Sequence, residues 1–170
     1  STNSLWERNN LMKITVACVG KIKEKYLRDG IQEYAKRLGR YCRLEWYETA
    51  DEKTPDGASA AEEEKIRDRE GLRLLRGIPD SSYVIALAIQ GKMLDSPGLA
   101  ARIGDLGNRG VSHVVFVIGG SLGLSETVLQ RADLLWSFSE LTFPHQLMRV
   151  MLLEQIYRGY RILHGEPYHK

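Results

Sequence analysis

Short apolar runs alternate along this chain with longer segments in which apolar residues recur every three or four positions. Lys13 to Val19 (KITVACV) is a β-branched run closed by Gly20 and reads as a strand. Leu27, Ile31, Tyr34 and Leu38 then recur at helical spacing, predicting a helix over 24–38 that Gly39 ends. Leu44 to Tyr47 predicts a second strand, and 51–57, with Pro55 and Gly57, predicts a mobile loop. A charged helix is expected over 59–76, anchored by Ile66, Leu72 and Leu75. Tyr83 to Ile89 (YVIALAI) is apolar at successive positions, the pattern of a strand at the centre of a parallel sheet covered on both faces. Ser96 and Pro97 suit an N-cap and first helical turn. Val114 to Ile118 is a further buried strand, Ser125 caps a short helix, and Leu134 to Phe138 is the last strand. The final helix is expected from near Pro144 to near Gly165. The alternation predicts an α/β fold: one mostly parallel sheet flanked by helices, in a single domain over 12–170. Residues 1–11 are polar and aperiodic, and are expected to be a tag remnant or disordered extension. Ligands of such sheets bind beyond the carboxyl ends of the strands. Those ends are Ile89-Gln90-Gly91, Gly119 to Gly123, and Ser139 to Phe143.

Composition narrows the class without naming a function. Hydrophobic residues make up 43% and charged residues 27%, as in soluble globular proteins. No apolar run is long enough to span a bilayer, and none reads as a signal peptide. Cys18 and Cys42 lack metal-ligand spacing and are expected to be buried free thiols in a reducing cytoplasm. His113, His145, His164 and His169 show no zinc pattern either, so no metal is expected. A net charge of +2 conceals an asymmetry. Lys21 to Arg43 holds eight basic residues against three acids, whereas Glu48 to Glu70 holds nine acids against four basic residues. Such a split either orients the protein on a polyanion or marks two solvated helix faces.

The glycine-rich turn Gly119-Gly120-Ser121-Leu122-Gly123 admits several readings. A dinucleotide fingerprint needs a different glycine spacing and an earlier place in the chain. A nucleophile elbow would make Ser121 the nucleophile of a serine hydrolase, with Asp133 as orienter and His145 as base, but its helix must start at the serine and Ser125 is the better cap. A third reading lets the backbone approach a flat ligand such as an adenine ring, and the plain alternative is a tight strand-to-helix turn.

The last helix carries the sharpest anomaly. At about 100° per residue, Glu154, Arg158 and Arg161 gather on one face, with Glu154 and Arg158 as an i,i+4 pair. Leu152, Leu153, Ile156, Tyr157, Tyr160 and Leu163 form the opposite apolar arc, and Arg149 falls at its centre. A buried guanidinium needs an acidic partner, a bound anion or a wet cleft. The readings are recognition of a phosphate or carbonyl pair, a structural ion pair with Glu140, or a subunit interface. Leu147, Met148, Val150 and Met151 widen the apolar surface, so a symmetric dimer is expected.

Five stretches together carry a resemblance: MKITVACVGK (12–21), GGSLGLS (119–125), LTFPHQLMRV (141–150), EQIYRGY (154–160) and GEPYHK (165–170). In these, 12–170 resembles the SPOUT-class methyltransferases that act on N3 of pseudouridine 1915 in 23S ribosomal RNA, the RlmH family. The resemblance implies a C-terminal trefoil knot, a homodimer, a cytoplasmic location, and S-adenosylmethionine bound in the knot. The implied cofactor contacts are Leu87, Gly119, Phe138, Ser139, Glu140, Leu141, Thr142 and Phe143. It implies that the partner is 23S ribosomal RNA in the assembled ribosome, with the Lys21 to Arg43 segment as candidate RNA surface. Arg149 is a candidate for stabilising charge on the uracil carbonyls or gripping a phosphate. His169 and His145 are candidates for accepting the N3 proton, and Tyr168 for stacking on the target base. A non-catalytic ribosome-binding module stands as the remaining alternative.

Overall fold

The computed structural model describes residues 10–170, so most of the expected N-terminal extension (residues 1–9) lies outside the described residues. The chain runs β1 (Met12–Val19), α1 (Lys25–Leu38), β2 (Cys42–Thr49), α2 (Ala60–Arg76), β3 (Tyr83–Met93), α3 (Ser96–Asn108), β4 (His113–Ile118), α4 (Glu126–Arg131), β5 (Leu134–Ser137) and α5 (His145–Leu163). The five strands form one sheet in the order β2-β1-β4-β3-β5, and every pairing is parallel. The α/β reading holds, with β4 rather than β3 at the centre.

Period-two alternation divides the strand residues between two apolar layers. Ile14, Val16, Cys18, Ile85, Val114 and Phe116 face α1, α3 and α5 through Leu38, Leu99, Ile103, Leu152, Leu153 and Ile156. Ala17, Val19, Val84, Ala86, Val115 and Val117 face α2 and α4 through Leu74 and Val128. A β-branched strand buried on both faces packs well only between two helical layers, which explains the unbroken apolar runs. Helix α5 packs on α3, with Gly159 beside Ala100 and Ile103. Cys18 and Cys42 are buried free thiols, and burial pushes both up to about 12.

Several local expectations change. Of the three expected anchors of α2, Ile66 is buried and Leu75 half-buried against the core, but Leu72 is 58% exposed; Glu70, Gly71 and Leu74 complete the buried face. Asp95, not Ser96, caps α3 by accepting from the Gly98 amide; the Ser96 hydroxyl instead donates to Gln155. Leu163 sits on the apolar arc of α5 yet is 42% exposed, because the helix ends there. The loop before α2 is present, but Glu52 ties it down: its amide donates to Glu70 and its carboxylate pairs with Arg73 at 2.6 Å. Among the described residues no helix is long and apolar enough to cross a membrane.

Candidate active site

Parallel strands bring all their carboxyl ends to one edge, and there the loops after β4 and β5 and the irregular stretch Leu87 to Gln90 of β3, which runs on to Met93 rather than ending at Ile89, enclose a cavity of about 850 Å³. Its walls include Leu87, Ile118, Leu124, Phe138, Leu141 and Phe143, with Gly119 to Gly123 as backbone floor. Of the sequence-derived cofactor residues, Leu87, Gly119, Phe138, Ser139, Leu141, Thr142 and Phe143 meet in this lining, and Glu140 lies outside it on the exposed side of its loop. That loop is shaped by its own serines. Ser137 donates to the Ser139 carbonyl at 3.0 Å, and the Leu141 amide donates to the Ser139 hydroxyl at 3.0 Å.

The glycine turn folds back on itself. Gly120 and Gly123 form an isolated antiparallel bridge, the Gly123 amide donates to the Gly120 carbonyl at 3.0 Å, and Gly123 has φ +84°. A Cβ on Gly119 would lie 2.7 Å from the Gly123 carbonyl carbon, so only glycine fits there. Ser125, not Ser121, caps α4. Asp133 precedes β5 at the amino edge of the sheet and accepts from the Val84 amide at 2.8 Å. Ser121 and His145 lie at the carboxyl edge, and a strand of four residues separates the two edges by about 13 Å. The Ser121–His145–Asp133 triad therefore does not assemble.

His145 opens α5 and half-buries its ring in the cavity wall. Burial, and then the nearby Arg149 charge, hold it below its ordinary value, so the imidazole is neutral near pH 7. Arg67 also lines the cavity and is, among the described residues, the one permanent charge in its wall, with Glu63 only at 4.0 Å. Sequence reasoning missed it because it reads as an ordinary charge on a charged helix; no periodic signal separates it from Arg69.

Arg149 is 1% exposed and does not line the cavity. Its guanidinium donates to Glu48 at 2.7 Å and to the Val19 and Gly20 carbonyls at 2.9 and 2.8 Å. It is thus a strut joining α5 to the carboxyl ends of β1 and β2. The acid that pairs with it is Glu48 rather than Glu140: the guanidinium reaches the carboxyl ends of β1 and β2, while Glu140 is exposed.

The chain end folds back along α5. Tyr168 lies under Arg158 at 4.6 Å and donates to Glu154 at 3.3 Å, and burial with the Glu154 charge raises its hydroxyl to about 12. Arg158 also meets His169 Nδ1 at 3.1 Å, and the expected Glu154–Arg158 pair forms at 2.6 Å. His169 reaches a second hollow of about 700 Å³ that shares Trp136, Phe138 and Phe143 with the first. His169 therefore lies across a common aromatic wall from the cavity, with Tyr168 packed beside it on Tyr157 and Arg158, and neither lines the cavity itself. The basic segment divides as well. Lys21, Lys23 and Arg28 sit at the carboxyl edge of the sheet, exposed and without an ion pair among the described residues, whereas Lys36 and Arg37 in the last turn of α1, and Arg40 just after it, lie at the opposite edge, about 20 Å away.

Residues 12–169 match a family described as "Predicted SPOUT methyltransferase". The chain is 63% identical over 159 residues to a protein of Bifidobacterium adolescentis named ribosomal RNA large subunit methyltransferase H, covering 94% of this chain and all of that one. Proteins of the same name from Clostridium beijerinckii and Clostridium kluyveri are 59% and 55% identical over the same shares.

Proposed function

The chain belongs to the SPOUT methyltransferases, in the ribosomal RNA large subunit methyltransferase H family, and on that premise we propose that it uses S-adenosylmethionine to methylate N3 of pseudouridine 1915 in 23S ribosomal RNA of the assembled ribosome. The observation that carries this reading is the cavity where the loops after β4 and β5 meet the Leu87 to Gln90 stretch of β3 around a glycine floor. A cofactor with a flat adenine needs apolar walls and close backbone approach. Leu87, Ile118, Leu124, Phe138 and Phe143 supply the walls, and the missing Cβ of Gly119 keeps the backbone open. The Trp136 indole N–H is buried without a partner in the same wall and is available to a bound ligand.

When bound, S-adenosylmethionine supplies an electrophilic methyl group on its sulfonium. Leu87, Gly119, Phe138, Ser139, Leu141, Thr142 and Phe143 would hold it, with Glu140 outside the lining, leaving this chain to orient the uracil and remove the N3 proton. His145 is our proton acceptor: it lies in the cavity wall and its neutral imidazole has a free lone pair at physiological pH. Arg149 acts through what it holds, fixing the first turn of α5 and hence His145 to the end of β1. Tyr168 and His169 would meet the target base from the far side of the aromatic wall. Lys21, Lys23 and Arg28 at the carboxyl edge of the sheet are the phosphate contacts. The half-exposed Leu147, Val150 and Met151 of α5 support a homodimer, and the C-terminal trefoil knot belongs to this reading too.

Calorimetry tests it most simply. The wild-type chain is expected to bind one S-adenosylmethionine per subunit, and Gly119→Val, whose side chain would enter the Gly123 carbonyl, to bind it at least tenfold more weakly. Wild-type affinity in the variant would refute the site. Ribosome association without cofactor binding would leave a non-catalytic module.

A further inference from the structure

The chain reverses direction after α5, and one carboxylate holds the reversal. Gly165, at φ +63°, turns the backbone, and the Glu166 amide donates to the Arg161 carbonyl at 2.9 Å. Glu166 Oε1 accepts from the Tyr41 hydroxyl at 2.8 Å, and Oε2 accepts from Arg161 at 2.5 Å with Arg40 3.7 Å away. The second arm of the Arg161 guanidinium donates to the Pro167 carbonyl at 2.8 Å. Two side chains from the α1–β2 connection and one from α5 thus converge on a single residue of the tail.

The position of this node matters more than its strength. Tyr41 and Arg40 lie at the amino edge of the sheet, remote from the cavity, yet the residues that follow Glu166 run back toward the carboxyl edge. Within three residues Tyr168 is seated between Arg158 and Tyr157, and His169 is in the hollow behind Phe138 and Phe143. A tail without its fold-back would leave α5 and place neither ring near that wall. The Tyr41 hydroxyl and the Arg161 charge also hold the Glu166 carboxyl below the usual carboxylate range, so it stays ionised at working pH.

We propose that Glu166 is a positioning residue for methyl transfer: its clasp with Tyr41 and Arg161 folds the C-terminal tail back so that Tyr168 and His169 present themselves to the target base. This rests on the functional reading given above for the tail. It makes Glu166 necessary for turnover but not for the cofactor.

The test compares wild type, Glu166→Ala, Glu166→Gln, a chain lacking Tyr168 to Lys170, and the Glu166→Ala change in that shortened chain, on unmodified ribosomes with saturating S-adenosylmethionine. Glu166→Ala is expected to lower kcat at least tenfold with the S-adenosylmethionine Kd within twofold of wild type. Glu166→Gln, which keeps an acceptor for Tyr41, recovers part of the loss. In the shortened chain Glu166→Ala should have no further effect, because the tail it positions is gone. Carboxypeptidase trimming, followed by intact mass, should run faster in Glu166→Ala than in wild type. Should that variant not fold, Tyr41→Phe removes one donor and is expected to give a smaller drop in kcat of the same kind. Wild-type kcat in these variants, or losses from Glu166→Ala and truncation that multiply, would overturn the proposal. Unchanged kcat on truncation alone would overturn the tail reading with it, whereas absent cofactor binding in the wild type would strike the methyl-transfer reading itself.

Discussion

Arg149 uses two of its three guanidinium nitrogens to hold Glu48, Val19 and Gly20, and its Nε is buried without a partner. Removing it leaves two carbonyls at the end of β1 without that donor and a carboxylate without its cation. The Glu48 side chain is 41% exposed and solvates when its partner is lost, so the cost falls on the two carbonyls, and Arg149→Ala is expected to cost about 2–3 kcal/mol of unfolding free energy, read from denaturant titration. A loss below about 1 kcal/mol would show that the strut is not structural. The helical wheel was enough to place this arginine in the apolar arc, because 3.6-residue periodicity is local. Its partner lies 101 residues away, and no local pattern carries that distance. Gly119 was similarly legible as a glycine the turn requires, whereas the collision with Gly123 that makes it obligatory needed coordinates.

Helix α2 shows the same limit one scale up. Its span over 59–76 and its Ile66 anchor were legible, yet Leu72 points outward and Glu70 inward. Charge normally marks the solvated face, and Glu70 breaks that rule because the Glu52 amide, from the loop before the helix, hydrogen-bonds to it at 3.1 Å. Burial raises the Glu70 carboxyl above its ordinary 4.5. A raised folded value means its stabilising contribution is complete below the unfolded value and is lost as pH rises through the folded one. At neutral pH the ionised, buried carboxylate thus weakens the fold. Glu70→Gln keeps an acceptor for the Glu52 amide without the charge, so its Tm should exceed wild type by about 2–4 °C at pH 7, the shift expected for about 1 kcal/mol. The gap should close below pH 4. A lower Tm for the variant at pH 7 would contradict this account.

For the whole molecule, alternating elements foretold a parallel sheet and hence one edge for all the loops, which is why most of the three segments chosen from sequence line one cavity, although Ile89-Gln90-Gly91 lies within β3 rather than at its end. Strand order, the second hollow and the fold-back of the tail depend on contacts far apart in sequence and were not legible. A threaded chain is equally invisible to pattern, since connections in ordinary folds do not pass through one another. The central claim is that these loops hold a methyl donor against a ribosomal uracil. The most direct measurement is to incubate ribosomes lacking the modification with this protein and methyl-labelled S-adenosylmethionine, then locate the label by mass spectrometry of the ribosomal RNA. We predict a single labelled nucleotide, pseudouridine 1915 of 23S RNA methylated at N3. Label at another position, or none on assembled ribosomes with cofactor bound, would contradict it.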